Sequence, residues 1–142
     1  MMNAKQTQMM VLLQDLVLAF VINSAATILN GGFTETDVYL VGMFMAFSIN
    51  YTAGIIIPVE KIGGIVTALG LRGFANKLVR IFIINAIYVT IISFTIALIN
   101  CGPTPDILSI WIATYPVMHL VGFVTSVLIE DSCIRLAKTL VN

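Results

Sequence analysis

The sequence predicts an all-α integral membrane protein with four transmembrane helices, which form two helical hairpins of the same orientation. The first reason is the composition. Of the 142 residues, 59% are hydrophobic and 10% are charged, whereas a soluble domain carries about 25% charged residues. The second reason is the length of four apolar stretches, and the third is that every basic residue lies outside them. This is the pattern of a chain that is solvated by lipid.

Four apolar stretches are long enough to cross a bilayer as helices, which takes roughly 20 residues. They are residues 10–29, 38–57, 81–99 and 107–129. The first follows a basic residue and ends in small residues, as a secretory signal peptide would. Because Asp15 interrupts it, we interpret it as a retained first helix. Gly31-Gly32 and Gly102-Pro103 are predicted helix stops, since glycine adopts left-handed dihedrals and proline cannot continue the hydrogen-bond ladder.

The basic residues predict how the helices are oriented in the membrane. None of the seven lies in the connections 30–38 or 100–107, where the charged residues are all acidic. The seven are Lys5, Lys61, Arg72, Lys77, Arg80, Arg135 and Lys138. Basic residues are enriched in cytoplasmic segments of membrane proteins. We therefore expect both termini and the connection 63–80 to be cytoplasmic, in a multi-pass protein of the inner (plasma) membrane.

The two halves of the chain share one layout, which predicts a duplicated hairpin. Residues 1–62 contain the first two helices and residues 81–142 contain the last two, and each pair is joined by a short turn with glycine. Segments 28–32 and 98–102 align at a shift of 70 residues, and the second helices align best at a shift of 69. Because each copy has an even number of spans, both copies keep one orientation, as parallel repeats do.

The connection 63–80 is basic and rich in glycine, with apolar residues that alternate with Arg72 and Lys77. This pattern suits a short helix that lies on anionic lipid. It suits an ordinary cytoplasmic loop equally well. Both interpretations stay open at the level of the sequence.

Segment 97–102 and the following segment 107–111, which ends in Trp111, resemble the domain-of-unknown-function family numbered 2798. In these small bacterial two-helix membrane proteins, a Leu-Asn-x-Gly turn, a Trp in the second helix and a Pro before a basic tail recur. In the first half, Gly42 or Met43 stands where Trp is expected, while Pro58 fits. The resemblance implies a two-helix membrane unit in a bacterial inner membrane and implies no activity.

Each predicted helix carries one strongly polar side chain at a similar depth. Asp15 and Asn85 are equivalent in the repeat alignment, and so are Asn50 and His119. At about 1.5 Å per residue, all four lie roughly 20 Å from the predicted outer ends of their helices. Exposing Asp to lipid near a helix centre costs about 2.5–3.5 kcal/mol on insertion scales. We therefore expect the four side chains to converge in the interior of the bundle.

An embedded carboxylate with a histidine at matching depth is typical of proton coupling or cation binding. The sequence therefore predicts a small transporter or permeation protein with a polar site near the midplane for a small solute or cation, with proton coupling as an option. The predicted binding residues are Asp15, Asn50, Asn85, His119, Asn23, Ser93 and Tyr115. The expected partners are the lipid bilayer, the solute or ion and a second copy in a parallel homodimer.

Other classes of function find little support in the sequence. No Gly-rich phosphate loop, nucleophile elbow or metalloprotease helix occurs, so we do not expect an enzyme. One His and two Cys cannot supply the three or four protein ligands of a zinc site, and no metal or cofactor is expected. The net charge is zero, which gives no basis for nucleic-acid binding. Neither cysteine has a predicted partner, because Cys101 and Cys133 lie near opposite membrane faces.

Two alternatives remain. The polar residues would only hold the bundle together if the protein were a partner-binding, scaffold or immunity-type subunit. Such a protein would use the small-residue seam of the second helix, which consists of Gly42, Ala46, Asn50 and Gly54. A ligand-sensing receptor would bind its ligand at the same site but would not transport it across the membrane. The transporter predicts a cavity that reaches Asp15, whereas the subunit predicts a tightly packed interior.

Overall fold

The computed structural model describes residues 2–29, 36–57 and 59–141. This part of the chain is all-helical and contains no strand. Its five helices are α1 Ala4–Leu29, α2 Thr36–Ile56, α3 Val59–Ala68, α4 Gly73–Cys101 and α5 Ile107–Leu140. All except α3 are long and apolar enough to cross a membrane. The architecture is that of a multi-pass helical membrane protein, as the composition predicts.

Three of the long helices extend well beyond the predicted spans. α1 begins at Ala4 instead of residue 10, α4 begins at Gly73 instead of residue 81, and α5 continues to Leu140 instead of ending at residue 129. Hydropathy marks the part of a helix that is compatible with lipid, but the backbone ladder continues into the polar residues beyond it. The helices are therefore longer than the predicted spans at these three ends.

The connection 63–80 is consequently divided between two helices. The end of α3 and the first two turns of α4 occupy most of it, so it is not an irregular loop. The reversal between them includes Gly70 with φ 79° and Gly73 with φ 59°, which are dihedrals that favour glycine. α3 packs against α4 and buries Val66 completely.

The predicted stop after the third long helix is confirmed. α4 ends at Cys101, and Gly102 has a φ of 70° while its N–H donates to the carbonyl of Leu98 at 2.9 Å. The corresponding stop at Gly31-Gly32, like Glu35 and Pro58, lies outside the described residues.

The four long helices form one bundle. α1 lies between α2 and α5, while α4 packs against α5 and, less extensively, against α2. The Gln6 side-chain amide donates to the carbonyl of Val141 at 3.0 Å, so the start of α1 and the end of α5 lie at the same end of the bundle. This end also contains Lys77, Arg80, Glu130 and Asp131, and we call it the charged end.

The interior of the bundle combines alanines with larger apolar and aromatic side chains. One buried cluster joins Ala19, Ala46, Ala53, Tyr88 and Ile92, and a second joins Ile22, Val89 and Met118. Small residues allow helices in a membrane to approach closely. Other large apolar side chains point outward, as with Phe44, Ile55 and Leu128, each at least 69% exposed. An apolar exterior is what lipid requires.

Candidate functional site

Asp15 and Asn50 form a buried pair between α1 and α2. Asn50 Nδ2 donates a hydrogen bond of 2.6 Å to Asp15 Oδ1. Asp15 is 4% exposed and Asn50 is 1% exposed. Gly54 follows Asn50 by one helical turn, and a Cβ there would lie 3.2 Å from the Tyr88 hydroxyl and 3.7 Å from Asp15 Oδ2. The small-residue seam of α2 therefore serves to seat Asp15 inside the chain.

Asn85 and His119 form a second pair, between α4 and α5. Asn85 Nδ2 lies 3.1 Å from His119 Nδ1 and donates to the main-chain carbonyl of His119 at 2.9 Å. With Nδ1 as the acceptor, the proton of the neutral imidazole is on Nε2. Phe82 contacts the ring edge-to-face at 4.7 Å between centroids, and Tyr115 stacks on it at 5.9 Å. This histidine is thus held from three directions.

The predicted layer of four polar residues is present as two separate pairs. Each pair joins the two long helices of one hairpin, and no hydrogen bond links Asp15 to His119, both of which are described. The structure brings Asp15 and Asn85 together on the wall of one cavity, while Asn50 and His119 are outside its lining. Asp15 and Asn85 are therefore the two members of the set that share an accessible space.

Three buried polar atoms in these pairs have no hydrogen-bond partner among the described residues. They are Asp15 Oδ2, Asn50 Oδ1 and His119 Nε2. Buried polar groups in proteins are nearly always hydrogen-bonded to protein or to water. Neither pair therefore supplies the hydrogen bonds that the other pair lacks. Polar side chains with a purely structural role would be expected to do so. Of the three atoms, Asp15 Oδ2 belongs to a residue that lines a cavity.

The cavity lies between α1, α4 and α5 and has a volume of about 100 Å³. Its polar lining residues are Gln14, Asp15, Arg80, Asn85, Ser126 and Glu130. A water molecule takes up about 30 Å³ in the liquid, so the volume corresponds to roughly three waters. Along α4, Arg80 and Asn85 are about 7.5 Å apart. The cavity therefore extends from the level of Asp15 towards the charged end.

At the charged end, Glu130 is buried and pairs with two basic residues of α4. The Arg80 guanidinium donates to Glu130 Oε1, and Lys77 Nζ lies 3.6 Å from Glu130 Oε2. Lys77 also pairs with exposed Asp131 at 2.8 Å. Two positive and two negative groups thus compensate each other here. A buried carboxylate of this kind is stable because it is paired and hydrogen-bonded.

On the other side of the Asp15 level, the interior is closed by apolar side chains. Ile22, Val89 and Met118 come from three different helices and pack together, and Leu18 and Tyr115 pack against them. Because this cluster follows Asp15 and Asn85 along their helices, it separates the cavity from the end of the bundle opposite the charged end. The polar lining of the cavity therefore lies between the level of Asp15 and the charged end.

Besides Asn50 and His119, three further predicted site residues lie away from the cavity lining. Asn23 Nδ2 donates to the carbonyl of Tyr39 at 3.0 Å, and a Cβ on Gly42 would lie 2.7 Å from Asn23 Oδ1. Ser93 accepts a hydrogen bond of 2.8 Å from Trp111 Nε1. These contacts join the helices of each hairpin.

Tyr115, the third of these residues, is held between α4 and α5. Its hydroxyl accepts from Thr90 Oγ1 at 3.1 Å and donates to the carbonyl of Ala86 at 3.4 Å. Its ring also stacks on His119. In this structure its contacts are with the protein itself.

Reading the sequence missed Gln14, Arg80, Tyr88, Ser126 and Glu130 as cavity residues. Arg80 and Glu130 end the third and fourth apolar stretches at similar distances from the turn between them. In an antiparallel hairpin, opposite charges at matching depth are expected to meet, and this was the available signal. Ser126 shares one face of its helix with His119 and Gly122, and this spacing was its signal. Only the packing of α1, α4 and α5 selects Gln14 and Tyr88.

Among the described residues, no group of three or more His, Cys, Asp or Glu side chains is arranged to hold a metal ion. Cys133 is a buried free thiol. The fold and the site together define a helical membrane protein with a polar cavity in its interior. Comparison of the chain with known protein families, with curated proteins and with solved structures finds no match. The resemblance to the family numbered 2798 stays a prediction.

Proposed function

We propose that this protein is a small transporter or permeation protein of the inner (plasma) membrane, which binds a small solute or cation at Asp15. The observation that carries the proposal is a cavity that reaches a buried carboxylate with an unpaired oxygen. Ionisable residues inside a membrane are costly, and they mark solute pathways and proton relays. Asn85, on the same wall, provides the second polar side chain at this level.

The closed apolar cluster supports a mechanism of alternating access. In this mechanism, Asp15 is reached through the cavity from the charged end, and Ile22, Val89 and Met118 block the way to the other end. For a solute to cross, this cluster has to separate while access from the charged end closes. The contacts of Arg80 and Lys77 with Glu130 stand beside the cavity, where they would change during such a movement.

We also propose that the charged end is cytoplasmic and that the hairpins are parallel repeats. The one-sided basic residues support the orientation, which gives the cavity cytoplasmic access. The contacts support the duplication, because Asp15 pairs with Asn50 as Asn85 pairs with His119, at the shifts of 70 and 69 residues found in the sequence. A parallel homodimer remains part of the proposal.

The partner-binding alternative has less support from the packing. It requires the small-residue seam of α2 to be free, but Ala46 and Asn50 are buried and Gly42 lies against Asn23. The seam is thus used within the chain. A ligand-sensing receptor would keep the same cavity and is distinguished by the absence of flux.

The test is flux through liposomes that contain the purified protein. Proton and monovalent-cation flux are followed with an internal pH dye and ion-selective electrodes, over a range of external pH. The Asp15→Asn variant is expected to lose pH-dependent flux while it stays folded, because an amide oxygen still accepts from Asn50. The Asp106→Asn variant removes an exposed carboxylate at the start of α5 and is the matched control. Equal flux in wild type and Asp15→Asn would overturn the proposal.

A further inference from the structure

We propose that the cavity binds a small organic ammonium ion, with its cationic nitrogen against Asp15 and its alkyl groups against the apolar walls. This inference rests on the proposed function and names the chemical class of the solute. It is drawn from the charges, the walls and the volume of the cavity.

The charges of the lining favour a single positive charge on the ligand. Asp15 Oδ2 is buried and has no partner among the described residues. The other charged lining residues, Arg80 and Glu130, are paired with each other. An ionised Asp15 is thus left uncompensated, and a monocation at this point restores neutrality. An anion would meet the unpaired carboxylate instead.

The walls favour an organic cation. The apolar part of the lining comes from α1 and α4 and lies on both sides of the Asp15 level. The apolar and aromatic residues are Met10, Val11, Leu18, Ile81, Ile84 and Tyr88. Alkyl groups pack against such side chains, and ammonium ions are attracted to aromatic rings of the kind that Tyr88 provides. A dehydrated Mg²⁺ or Ca²⁺ needs about six or more oxygen ligands, which these walls do not offer.

The volume limits the size of the ligand. An apolar cavity of about 150 Å³ accommodates benzene with its six non-hydrogen atoms, so about 100 Å³ accommodates a solute of roughly four. Butylammonium, which is larger by about one atom, is close to this limit and carries its charge at one end. Its nitrogen would contact Asp15, and its chain would extend along α4 towards Arg80.

Binding is tested by calorimetric titration of the protein in lipid nanodiscs with ligands of one size and different charge. Butylammonium is expected to bind at least tenfold more tightly than 1-butanol and than butyrate. Tetrabutylammonium, which is far larger than the cavity, is expected to bind at least tenfold more weakly than butylammonium. Equal binding of butanol and butylammonium, or tighter binding of butyrate, would overturn the inference.

Two variants locate the site. Asp15→Asn is expected to weaken the binding of butylammonium at least tenfold, whereas Asp106→Asn is expected to leave its affinity unchanged. Val11→Leu adds one methylene group to the wall without changing any charge. It is therefore expected to weaken the binding of butylammonium more than the binding of methylammonium. Thermal unfolding of each variant verifies that it is folded. Unchanged affinity in folded Asp15→Asn would show that the ammonium ion binds elsewhere and would overturn the inference.

The two proposals fail in different ways. Asp15-dependent flux of protons or inorganic cations without any binding of butylammonium overturns the ammonium inference and leaves the transporter standing. Asp15-dependent binding of butylammonium without flux of this ion in liposomes supports the ammonium site and overturns the transporter in favour of a receptor.

Discussion

The two hairpins place a polar pair at equivalent positions, but the pairs differ in what they leave unsatisfied. In α1 and α2, Asn50 gives Asp15 one hydrogen bond, and the second carboxylate oxygen has no partner among the described residues. In α4 and α5, Asn85 makes two contacts with His119, one of them to the main chain. The second pair therefore has more polar contacts within its hairpin than the first pair has.

A second pair of equivalent positions shows how packing differences are compensated. In the first hairpin, the larger Asn23 lies against Gly42, whereas in the second hairpin the smaller Ser93 accepts a hydrogen bond from the large Trp111. The larger side chain of the contact is thus on the first helix of one hairpin, as Asn23, and on the second helix of the other hairpin, as Trp111. No such exchange accompanies Asp15, which lines the cavity together with its counterpart Asn85. Packing thus explains one difference between the hairpins and does not explain the other.

The largest effect is expected when the carboxylate is moved from one hairpin to the other. Asp15 and Asn85 line the same cavity. If the cavity defines the site, the double variant Asp15→Asn/Asn85→Asp should regain part of the flux that Asp15→Asn loses. About a tenth of the wild-type rate is expected, which corresponds to a barrier roughly 1.4 kcal/mol higher. Liposome flux at matched protein density measures it.

A double variant as inactive as Asp15→Asn would show that the two hairpins are not interchangeable. The Asn85→Asp single variant is the control for the effect of the added carboxylate alone.

Removing the polar partner should destabilise the first hairpin more than the second. Asn50→Leu leaves Asp15 without its described hydrogen bond and is expected to lower the free energy of unfolding by about 1–3 kcal/mol. His119→Phe keeps an aromatic ring beside Tyr115 and leaves the main-chain carbonyl as an acceptor for Asn85. It is therefore expected to lower the free energy of unfolding by only about 0.6 kcal/mol. Denaturant unfolding in detergent compares the two. The reverse order would contradict the account of the pairs given above.

Stability effects of opposite sign are expected at two glycines. A Cβ on Gly122 would lie 2.6 Å from Asn85 Oδ1 and 3.1 Å from Val89. Gly122→Ala therefore displaces Asn85 from His119 and should destabilise the protein by about 1–2 kcal/mol. Gly64 in α3 has nothing within 4 Å of this position, so Gly64→Ala should stabilise by about 0.5–1 kcal/mol through helix propensity. A loss of stability in Gly64→Ala would contradict the packing described for α3.

The charged end shows what the sequence could and could not predict about the site. The depth of Asp15 and Asn85 follows from counting residues along the helices, and the structure places both on one cavity wall. The predicted fourth span stops at residue 129, whereas the next residue, Glu130, is buried against Arg80 and lines the cavity. Hydropathy measures the preference of a segment for lipid, and it does not report which charges on two helices face each other.

The sequence by itself determined that the chain is helical, that four segments are compatible with a bilayer, and that each carries a polar residue at one depth. These properties follow from composition and from the constant rise of a helix, both of which are local. The tertiary structure decided that Asp15 pairs with Asn50 instead of His119, and that α1, α4 and α5 enclose a cavity between them. Pairing and enclosure depend on which helices are neighbours and how closely their glycines let them approach, and this depends on contacts between segments far apart in the chain.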